Sequence, residues 1–261
     1  MIMVKIYLDP GHGGSDPGAQ GNGLQEKTLT LDIAVRVRDI LVNEYENVEV
    51  RMSRTGDVTV SLAQRTNDAN SWGADYYLSI HINAGGGTGF ESFRHTSAPT
   101  QTARYQSIIH PEIALESLFR DRGMKTANFH VLRETRMPAL LTENGFIDHA
   151  TDASRLQNAS FRASIARGHV IGLEKAFQLR KKTNSNPRTL YRVQIGAFEN
   201  GENAIQLARR AATSGFTTHI FQEDGLYKVQ IGAFSIRENA EQLAQEARNK
   251  GYEVIIVQRN S

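Results

Sequence analysis

The first two-thirds of the chain alternates short apolar runs with longer segments in which apolar residues recur every three or four positions. Short runs of this kind predict strands, and the helical spacing predicts amphipathic helices. We expect strands over residues 5–9, 48–53, 76–82, 130–132 and 139–143, and helices over residues 28–44, 61–71, 102–118 and 161–179. This alternation predicts an α/β fold, with a twisted, mostly parallel sheet that carries helices on both faces.

The remainder of the chain is an internal repeat, offset by 36 residues from residue 190 to residue 226. The segment LYRVQIGAF at residues 190–198 recurs as LYKVQIGAF at residues 226–234. Each copy continues with an alanine-rich stretch at helical spacing and closes with a second strand-like run. The two copies, residues 190–225 and 226–261, together predict a small α+β domain, a four-stranded sheet with two helices on one face.

A polar stretch separates the two halves. Residues 180–187 read RKKTNSNP and contain no apolar side chain, so they predict a solvated linker. We therefore expect a first domain over residues 1–179 and a second over residues 188–261. No stretch approaches the ~18 apolar residues of a membrane span, and Met1 runs directly into the first strand without a visible secretory signal.

Side chains that carry chemistry cluster where strands of the first domain are predicted to end. His12 follows the first strand in a glycine-rich loop, and His81 lies near the end of an apolar run with three glycines behind it. Glu143 closes a third apolar run, and Glu26 lies at the start of the first helix. Ligands gather beyond the carboxyl ends of strands in such sheets, so we expect one shared site. Two imidazoles and a carboxylate would suit a catalytic Zn²⁺, and a further carboxylate could move protons beside it.

These motifs resemble those of the zinc-dependent N-acetylmuramoyl-L-alanine amidases of the type-3 group. The match covers residues 4–179 and is carried by DPGHGG around His12, LQEK around Glu26, SIHIN around His81 and MPALLTENGF around Glu143. The resemblance implies that His12, Glu26 and His81 bind Zn²⁺ and that Glu143 is the catalytic carboxylate. It also implies hydrolysis of the amide between the lactyl group of muramic acid and the first L-alanine of the peptidoglycan stem.

The duplicated VQIGAF motif resembles a SPOR domain, a repeat that binds peptidoglycan glycan strands stripped of peptide. Val193 and Ile195 must share the apolar face of their strand, which places Gln194 on the opposite face, and Gln230 is its equivalent in the second copy. Helices on the apolar face would leave both glutamines on an open polar surface. We therefore expect Gln194 and Gln230 to be candidate glycan contacts.

The composition argues against other classes of function. The chain has no cysteine, so any bound metal must be held by histidine and carboxylate. Its net charge is only +2, and residues 187–261 carry 9 basic and 8 acidic groups, which argues against nucleic-acid binding. The RNP1 signature of RNA-binding sheets is also missing from the repeat.

Plainer interpretations exist for each candidate. Glu26 alone could be an ordinary first-turn glutamate favoured by the helix dipole, and Glu143 alone could pair with a buried arginine. His130, in the segment ANFHVLR, is a candidate substrate contact because this segment could line the groove. Arg65 is expected to be structural, with a contact to the metal ligands as the alternative. The other histidines are expected to be structural or on the surface: His95, His110, His149, His169 and His219.

The first interpretation is thus a zinc amidase whose second domain concentrates it on the wall glycan. One alternative is a catalytically silent wall-binding protein. Another is a zinc carboxypeptidase acting on peptide C-termini, although the wide separation of His12 and Glu26 argues against it. We expect synthesis in the cytoplasm and action at the bacterial cell wall after release, in mother-cell lysis during sporulation or in phage-mediated lysis.

Overall fold

Six strands form one mixed sheet at the centre of the first unit. The computed structural model describes residues 3–182, 189–234 and 237–260, and the chain divides into two units, Met1–Lys182 and Thr183–Ser261. The strands of the first unit are β1 Val4–Pro10, β2 Gln20–Gly21, β3 Leu24–Gln25, β4 Val48–Met52, β5 Tyr76–Asn83, β6 Phe90–His95, β7 Asp121–Ala127 and β8 Ala139–Phe146. Its helices are α1 Glu26–Glu44, α2 Leu62–Trp72, α3 Thr100–Ser117, α4 His130–Arg133, α5 Ala150–Gln157 and α6 Ala159–Phe177.

The sheet has the strand order β4-β1-β5-β8-β6-β7. The first four strands in this order are parallel to one another, whereas β6 is antiparallel to β8 and parallel to β7. The predicted α/β class with a mostly parallel sheet is therefore confirmed. Because β1, β5 and β8 are adjacent and parallel, their carboxyl ends lie together at one edge of the sheet.

Alternate residues of the central strands pack against different helical layers. Leu8 and Leu78 belong to a large core with residues of α1, α3 and α6. Tyr7, Tyr77 and Leu141 belong to a smaller core with residues of α2 and α4. Helices thus cover both faces of the sheet, because a strand buried on two sides offers an apolar side chain to each.

The predicted strand over residues 130–132 is wrong. These residues begin α4, a single turn in which the carbonyl of Phe129 accepts hydrogen bonds from the backbone N–H groups of Leu132 and Arg133. A short apolar run cannot by itself distinguish a buried helical turn from a strand. The strands β6 and β7 and the helix α5 are absent from the prediction because polar residues interrupt their apolar positions.

The first unit extends a few residues into the predicted linker. The backbone N–H of Arg180 donates to Oδ1 of Asn47 (2.7 Å), and that of Lys182 donates to the carbonyl of Glu44 (2.7 Å). Backbone hydrogen bonds therefore tie residues 180–182 to the first unit, while their side chains are exposed to solvent. The rest of the predicted linker, residues 183–187, lies outside the described residues.

The second unit is a four-stranded antiparallel sheet in the order β10-β11-β9-β12. Its elements are β9 Thr189–Phe198, α7 Gly201–Thr213, β10 His219–Glu223, β11 Leu226–Phe234, α8 Arg237–Asn249 and β12 Ile255–Asn260. Val193 and Val229 share one core with the alanine stripes of both helices, which confirms the predicted architecture. Among the described helices of the whole chain, none is long and apolar enough to span a membrane.

One buried histidine of the first unit gives its stability a pH dependence. His169 in α6 is 0% exposed. Its Nδ1 donates to the carbonyl of Ile165 (2.8 Å), which leaves Nε2 to accept from the hydroxyl of Thr142 (3.0 Å). Both contacts suit the neutral ring, and burial lowers the pKa of His169 to about 4.

We predict that His169 destabilises the folded chain as the pH falls from about 6.5 to 4. In this range the unfolded histidine takes up a proton and the native one does not. The unfolded state therefore binds more protons, and the free energy of unfolding decreases as the pH decreases. The free energy of unfolding should fall by about 3 kcal/mol because of this group. Urea unfolding at several pH values, compared between the wild type and His169→Gln, isolates this contribution. Parallel pH curves for the two proteins would contradict the prediction.

Candidate metal centre and active site

Three elements and one loop bring the candidate residues together. His12 follows β1, Glu26 is the first residue of α1, His81 lies in β5 and Glu143 lies in β8. His81 and Glu143 are direct neighbours in the parallel register of β5 and β8. The structure thus places all four residues at the carboxyl-end edge of the sheet, where the sequence predicts them.

The loop that carries His12 has an unusual backbone. His12 adopts a left-handed conformation (φ 63°), which is uncommon for a residue with a side chain. Two buried arginines hold the loop by its carbonyl oxygens. Arg65 donates to the carbonyls of Pro10 (2.8 Å) and His12 (2.6 Å), and Arg54 donates to that of Gly11 (2.8 Å). These contacts fix the backbone from which the imidazole of His12 projects.

Asp9 forms an ion pair with Arg65, one of the two arginines that hold this loop. Oδ1 of Asp9 accepts from Arg65 (2.6 Å) and from the hydroxyl of Ser53 (2.7 Å), and Oδ2 accepts from the hydroxyl of Ser79 (2.9 Å). Burial alone would raise the pKa of Asp9, but Arg65 and the hydrogen bonds outweigh it and hold the pKa below its usual range. The charge on both partners is therefore maintained inside the fold.

A three-residue cluster forms the candidate metal centre. Oε2 of Glu26 lies 3.1 Å from Nε2 of His12, and Oε1 lies 2.9 Å from Nδ1 of His81. One ligand atom from each of the three side chains lies within 4.8 Å of the others. The carboxylate is 4% exposed and also accepts from the backbone N–H groups of Ala19 and Ile82. Because these bonds fix Glu26, the cluster is already assembled in the folded chain.

The carboxylates around the cluster favour protonation of its two histidines. Burial would lower the pKa of His12, but Glu26 and Asp16 raise it to about 9. Burial would raise the pKa of Glu26, but the two imidazoles hold it well below its usual range. A bound metal would replace those protons, so metal binding must compete with protonation.

Asp16 sets the orientation of His12. Its Oδ2 lies 2.8 Å from Nδ1 of His12, and its Oδ1 accepts from the backbone N–H of Gly18 (3.0 Å). Nδ1 therefore donates to Asp16, and Nε2 is directed at Glu26. A carboxylate in this position is the usual outer partner of a metal-binding histidine.

Glu143 is the fourth of the candidate residues that the sequence predicts. Burial raises its pKa to about 7, the carboxylates of Glu26 and Glu91 add to this, and His81 opposes it. Oε2 of Glu143 is buried and has no hydrogen-bond partner among the described residues. Such a carboxyl group can exchange a proton near neutral pH, as a general base or acid must.

All four residues line one cavity of about 630 Å³. The loop before α2 and the first turn of that helix form one wall, with Val60, Ser61 and Leu62. The start of α4 forms another wall, with Phe129 and His130. The predicted substrate contact His130 thus lies in the same cavity as the metal cluster.

Comparison with known families decides the class of this site. A family model described as N-acetylmuramoyl-L-alanine amidase matches residues 6–175, and a model of the SPOR domain matches residues 187–260. The chain belongs to the N-acetylmuramoyl-L-alanine amidase family. It is a peptidoglycan hydrolase with a wall-binding SPOR domain, as the sequence predicts, and this class excludes the carboxypeptidase interpretation.

Individual relatives agree with this amidase assignment. The sporulation-specific N-acetylmuramoyl-L-alanine amidase of Bacillus subtilis (strain 168) is 60% identical over 222 residues, which are 85% of this chain and 86% of that relative. The endolysin of Bacillus phage SPP1 is 42% identical over 187 residues, 69% of each chain. The solved catalytic domain of the amidase CwlV from Bacillus (Paenibacillus) polymyxa var. colistinus superposes with a TM-score of 0.65 at 32% identity, covering 68% of this chain and 100% of that domain.

The SPOR domain differs from the prediction at its two glutamines. Gln194 and Gln230 are neighbours across β9 and β11, but Gln194 is only 3% exposed and Gln230 is half-buried. The expectation that both lie on an open surface is therefore wrong. Register shifts on both sides of Gln230 increase the local twist of the sheet. On the two edge strands, the side chains of Arg259 and Glu223 form an ion pair (2.5 Å).

The amidase site also depends on residues that the sequence does not single out. Arg54 reaches three backbone carbonyls around the His12 loop, namely those of Pro10, Gly11 and Lys27. Nothing in its local sequence distinguishes it from a surface arginine. Arg65, by contrast, lies on the predicted helix before His81, and it contacts the backbone of His12 and the carboxylate of Asp9.

We predict that Gly11→Ala disrupts the metal centre. A methyl group at this position would lie 2.3 Å from Cε1 and 2.5 Å from Nε2 of His81, so the imidazole would have to move. Gly56→Ala is the matched control, because nothing lies within 4 Å of the added methyl group and its backbone is not left-handed. Zinc titration followed by calorimetry should show at least about tenfold weaker binding for Gly11→Ala alone. Equal affinities for the two variants would contradict the expected contact.

Proposed function

We propose that the chain hydrolyses the amide between the N-acetylmuramoyl lactyl group and L-alanine by a zinc-dependent reaction. In this proposal His12, Glu26 and His81 hold Zn²⁺, and Glu143 is the general base and acid. The observation that supports it is the preassembled donor cluster, with ligand atoms within 4.8 Å of one another, in the cavity that also contains Glu143.

The donor set fits zinc. Two imidazoles and one carboxylate are a known ligand set of catalytic zinc sites, which keep a further position open for water or substrate. Zn²⁺ held by this set would polarise the scissile carbonyl and lower the pKa of the attacking water. The chain has no cysteine that could compete as a thiolate ligand.

Glu143 would move the proton of the reaction. Its carboxylate takes a proton from the water that attacks the lactyl carbonyl and later delivers one to the departing amine of L-alanine. Burial is the largest influence on this carboxyl group and raises its pKa above the usual range, which favours a group that both accepts and returns a proton. Oε2 has no hydrogen-bond partner among the described residues, so no protein group competes for it.

The SPOR domain would raise the local concentration of enzyme on the wall. Gln194 and Gln230 remain candidate glycan contacts, but Gln194 is only 3% exposed, so it would have to become accessible before sugars could reach it. We place the action of the protein at the bacterial cell wall. The relative named for sporulation matches 85% of the chain and the phage endolysin 69%, which favours mother-cell lysis over phage-mediated lysis.

Digestion of purified sacculi tests the bond that is cut. Mass analysis of the products should find intact glycan strands together with free peptides that begin with L-alanine. Shortened glycan, or peptides trimmed only at their carboxyl ends, would overturn the proposed reaction.

We predict that His12→Ala, Glu26→Ala and His81→Ala each lose bound zinc and activity together, because each removes one of three ligands. Elemental analysis of dialysed protein and hydrolysis of a soluble muropeptide provide the two measurements. His95→Ala is the control, since His95 contacts Ser97 and Asn128 and does not line the cavity. Full activity of any ligand variant after chelator treatment would reject the assigned role.

For Glu143→Gln we expect the opposite combination, stoichiometric zinc with turnover reduced by about 10² to 10⁴, the usual effect of general acid–base catalysis. The amide keeps the shape of the side chain but cannot accept the proton. Glu134→Gln, at an exposed glutamate, is the matched control and should keep wild-type turnover. Loss of zinc from the Glu143→Gln protein would instead identify Glu143 as a ligand.

The two units should also separate by function. Each has its own hydrophobic core, so a fragment ending at Lys182 should fold alone. We expect it to cleave a soluble muropeptide within about twofold of the full-chain rate and sacculi at least about tenfold more slowly, because it lacks the attachment to glycan. Rates on the two substrates should be compared at equal enzyme concentration. Equal rates on sacculi would show that the SPOR domain adds nothing to the reaction.

A further inference from the structure

His130 is held rigidly at the wall of the active-site cavity. It is the first residue of α4, and the next two residues, Val131 and Leu132, are each 5% exposed in the smaller core. The ring of Phe129, directly before it, packs edge-on against Phe93 with the centroids 5.4 Å apart. Packing of the residues before and after it therefore fixes the backbone position of His130.

A second anchor holds the end of the same turn. The side-chain amide of Asn70 in α2 donates to the carbonyl of Glu134 (2.9 Å), and its oxygen accepts from the backbone N–H of Arg136 (2.9 Å). Helix α4 is thus tied to α2, whose first turn also lines the cavity. A side chain on such a rigid element can position a ligand with little loss of conformational entropy.

The imidazole of His130 has an unused hydrogen-bonding atom. Its Nε2 is buried and has no partner among the described residues. Of the cavity-lining residues in the described part of the chain, only His130 and Glu143 have such an atom. Buried polar atoms are almost always paired in folded proteins, so an unpaired one on a cavity-lining residue points to a partner that a ligand supplies.

The two unpaired atoms have complementary chemistry. Glu143 exchanges a proton with the reacting groups, whereas a neutral imidazole protonated at Nε2 can donate a hydrogen bond to an oxygen. The walls beside His130 are largely apolar, with Leu62, Phe129 and Val131, and offer few competing donors. A muramoyl-peptide supplies carbonyl oxygens along both of its arms, and every one of them needs a donor when it leaves water.

We propose that Nε2 of His130 donates a hydrogen bond to a carbonyl oxygen of the bound muramoyl-peptide and thereby acts as a substrate-positioning residue. This inference rests on the proposed amidase function of the same cavity. The contact exists in the bound substrate before the reaction, so its loss should weaken binding and leave the chemical step nearly unchanged. It should raise KM and the dissociation constant together.

Three substitutions distinguish this role from a structural one. His130→Phe keeps the size of the ring and removes the donor. His130→Gln places an amide nitrogen close to the position of Nε2, whereas the shorter His130→Asn can imitate only Nδ1. His95→Phe is the control for replacing a half-buried histidine outside the cavity.

The kinetic test uses a soluble muropeptide with zinc-loaded protein. For His130→Phe and His130→Asn we expect KM to rise about tenfold with kcat within about twofold, which is the effect of one lost hydrogen bond. His130→Gln should recover most of the affinity. Unchanged KM in His130→Phe, or equal losses in the Gln and Asn variants, would overturn the proposal.

Two further readouts do not depend on turnover. In the Glu143→Gln background, calorimetry with the same muropeptide should give a dissociation constant about tenfold higher for His130→Phe. The thermal midpoint of unliganded His130→Phe should stay the same or rise, because an unpaired buried polar atom is removed. A lower midpoint that His130→Gln restores would show a structural role and overturn the proposal. If the wild type itself releases no L-alanine-started peptide, the amidase proposal fails, and that result is distinct from any ordering among the variants.

Discussion

The buried ion pair between Asp9 and Arg65 is the contact on which the amidase site depends. The two side chains are 1% and 4% exposed and lie 2.6 Å apart. Removing two charges from water is costly, and the pair is favourable only because further hydrogen bonds satisfy both partners. Ser53 and Ser79 supply them to Asp9, and the carbonyls of Pro10 and His12 accept them from Arg65. The same bonds that stabilise the pair therefore hold the loop of His12 in its left-handed conformation.

From this loop outward, each polar group of the site fixes the next one. Asp16 holds Nδ1 of His12 and directs Nε2 at Glu26. Glu26 is held by two backbone N–H groups and lies between both imidazoles. The site is thus rigid before any cation or substrate binds, and rigid donors are what a metal centre needs for high affinity. Among the described residues that line the cavity, the two with an unpaired buried atom are Glu143, to which we assign proton transfer, and His130, to which we assign a substrate contact.

Part of this arrangement could be predicted from the sequence. The period of the apolar residues identifies the parallel strands, and His12, His81 and Glu143 follow from their place at strand ends. The inclusion of Glu26 came from the family motif, since a first-turn glutamate alone has an ordinary explanation. The SPOR domain could be predicted from the internal repeat, because its apolar stripes and strands recur at one fixed offset.

Other features depend on tertiary contacts that leave no local signal. Arg54 acts through carbonyls of the His12 loop, far from it in sequence. The turn at His130 was predicted as a strand because three residues are too few to establish a period. Gln194 is buried and register shifts flank Gln230, and strand alternation alone predicts neither feature.

The assignment of the metal ligands can be tested most directly by nuclear magnetic resonance of the histidine side chains during zinc titration. The chain has eight histidines, and we expect only His12 and His81 to lose their acid–base titration when one equivalent of Zn²⁺ is bound. The metal should bind Nε2 of His12 and Nδ1 of His81. Nδ1 of His12 should keep its proton and its hydrogen bond to Asp16. Continued titration of either ring in the zinc-bound protein, or loss of titration at a different histidine, would contradict the account.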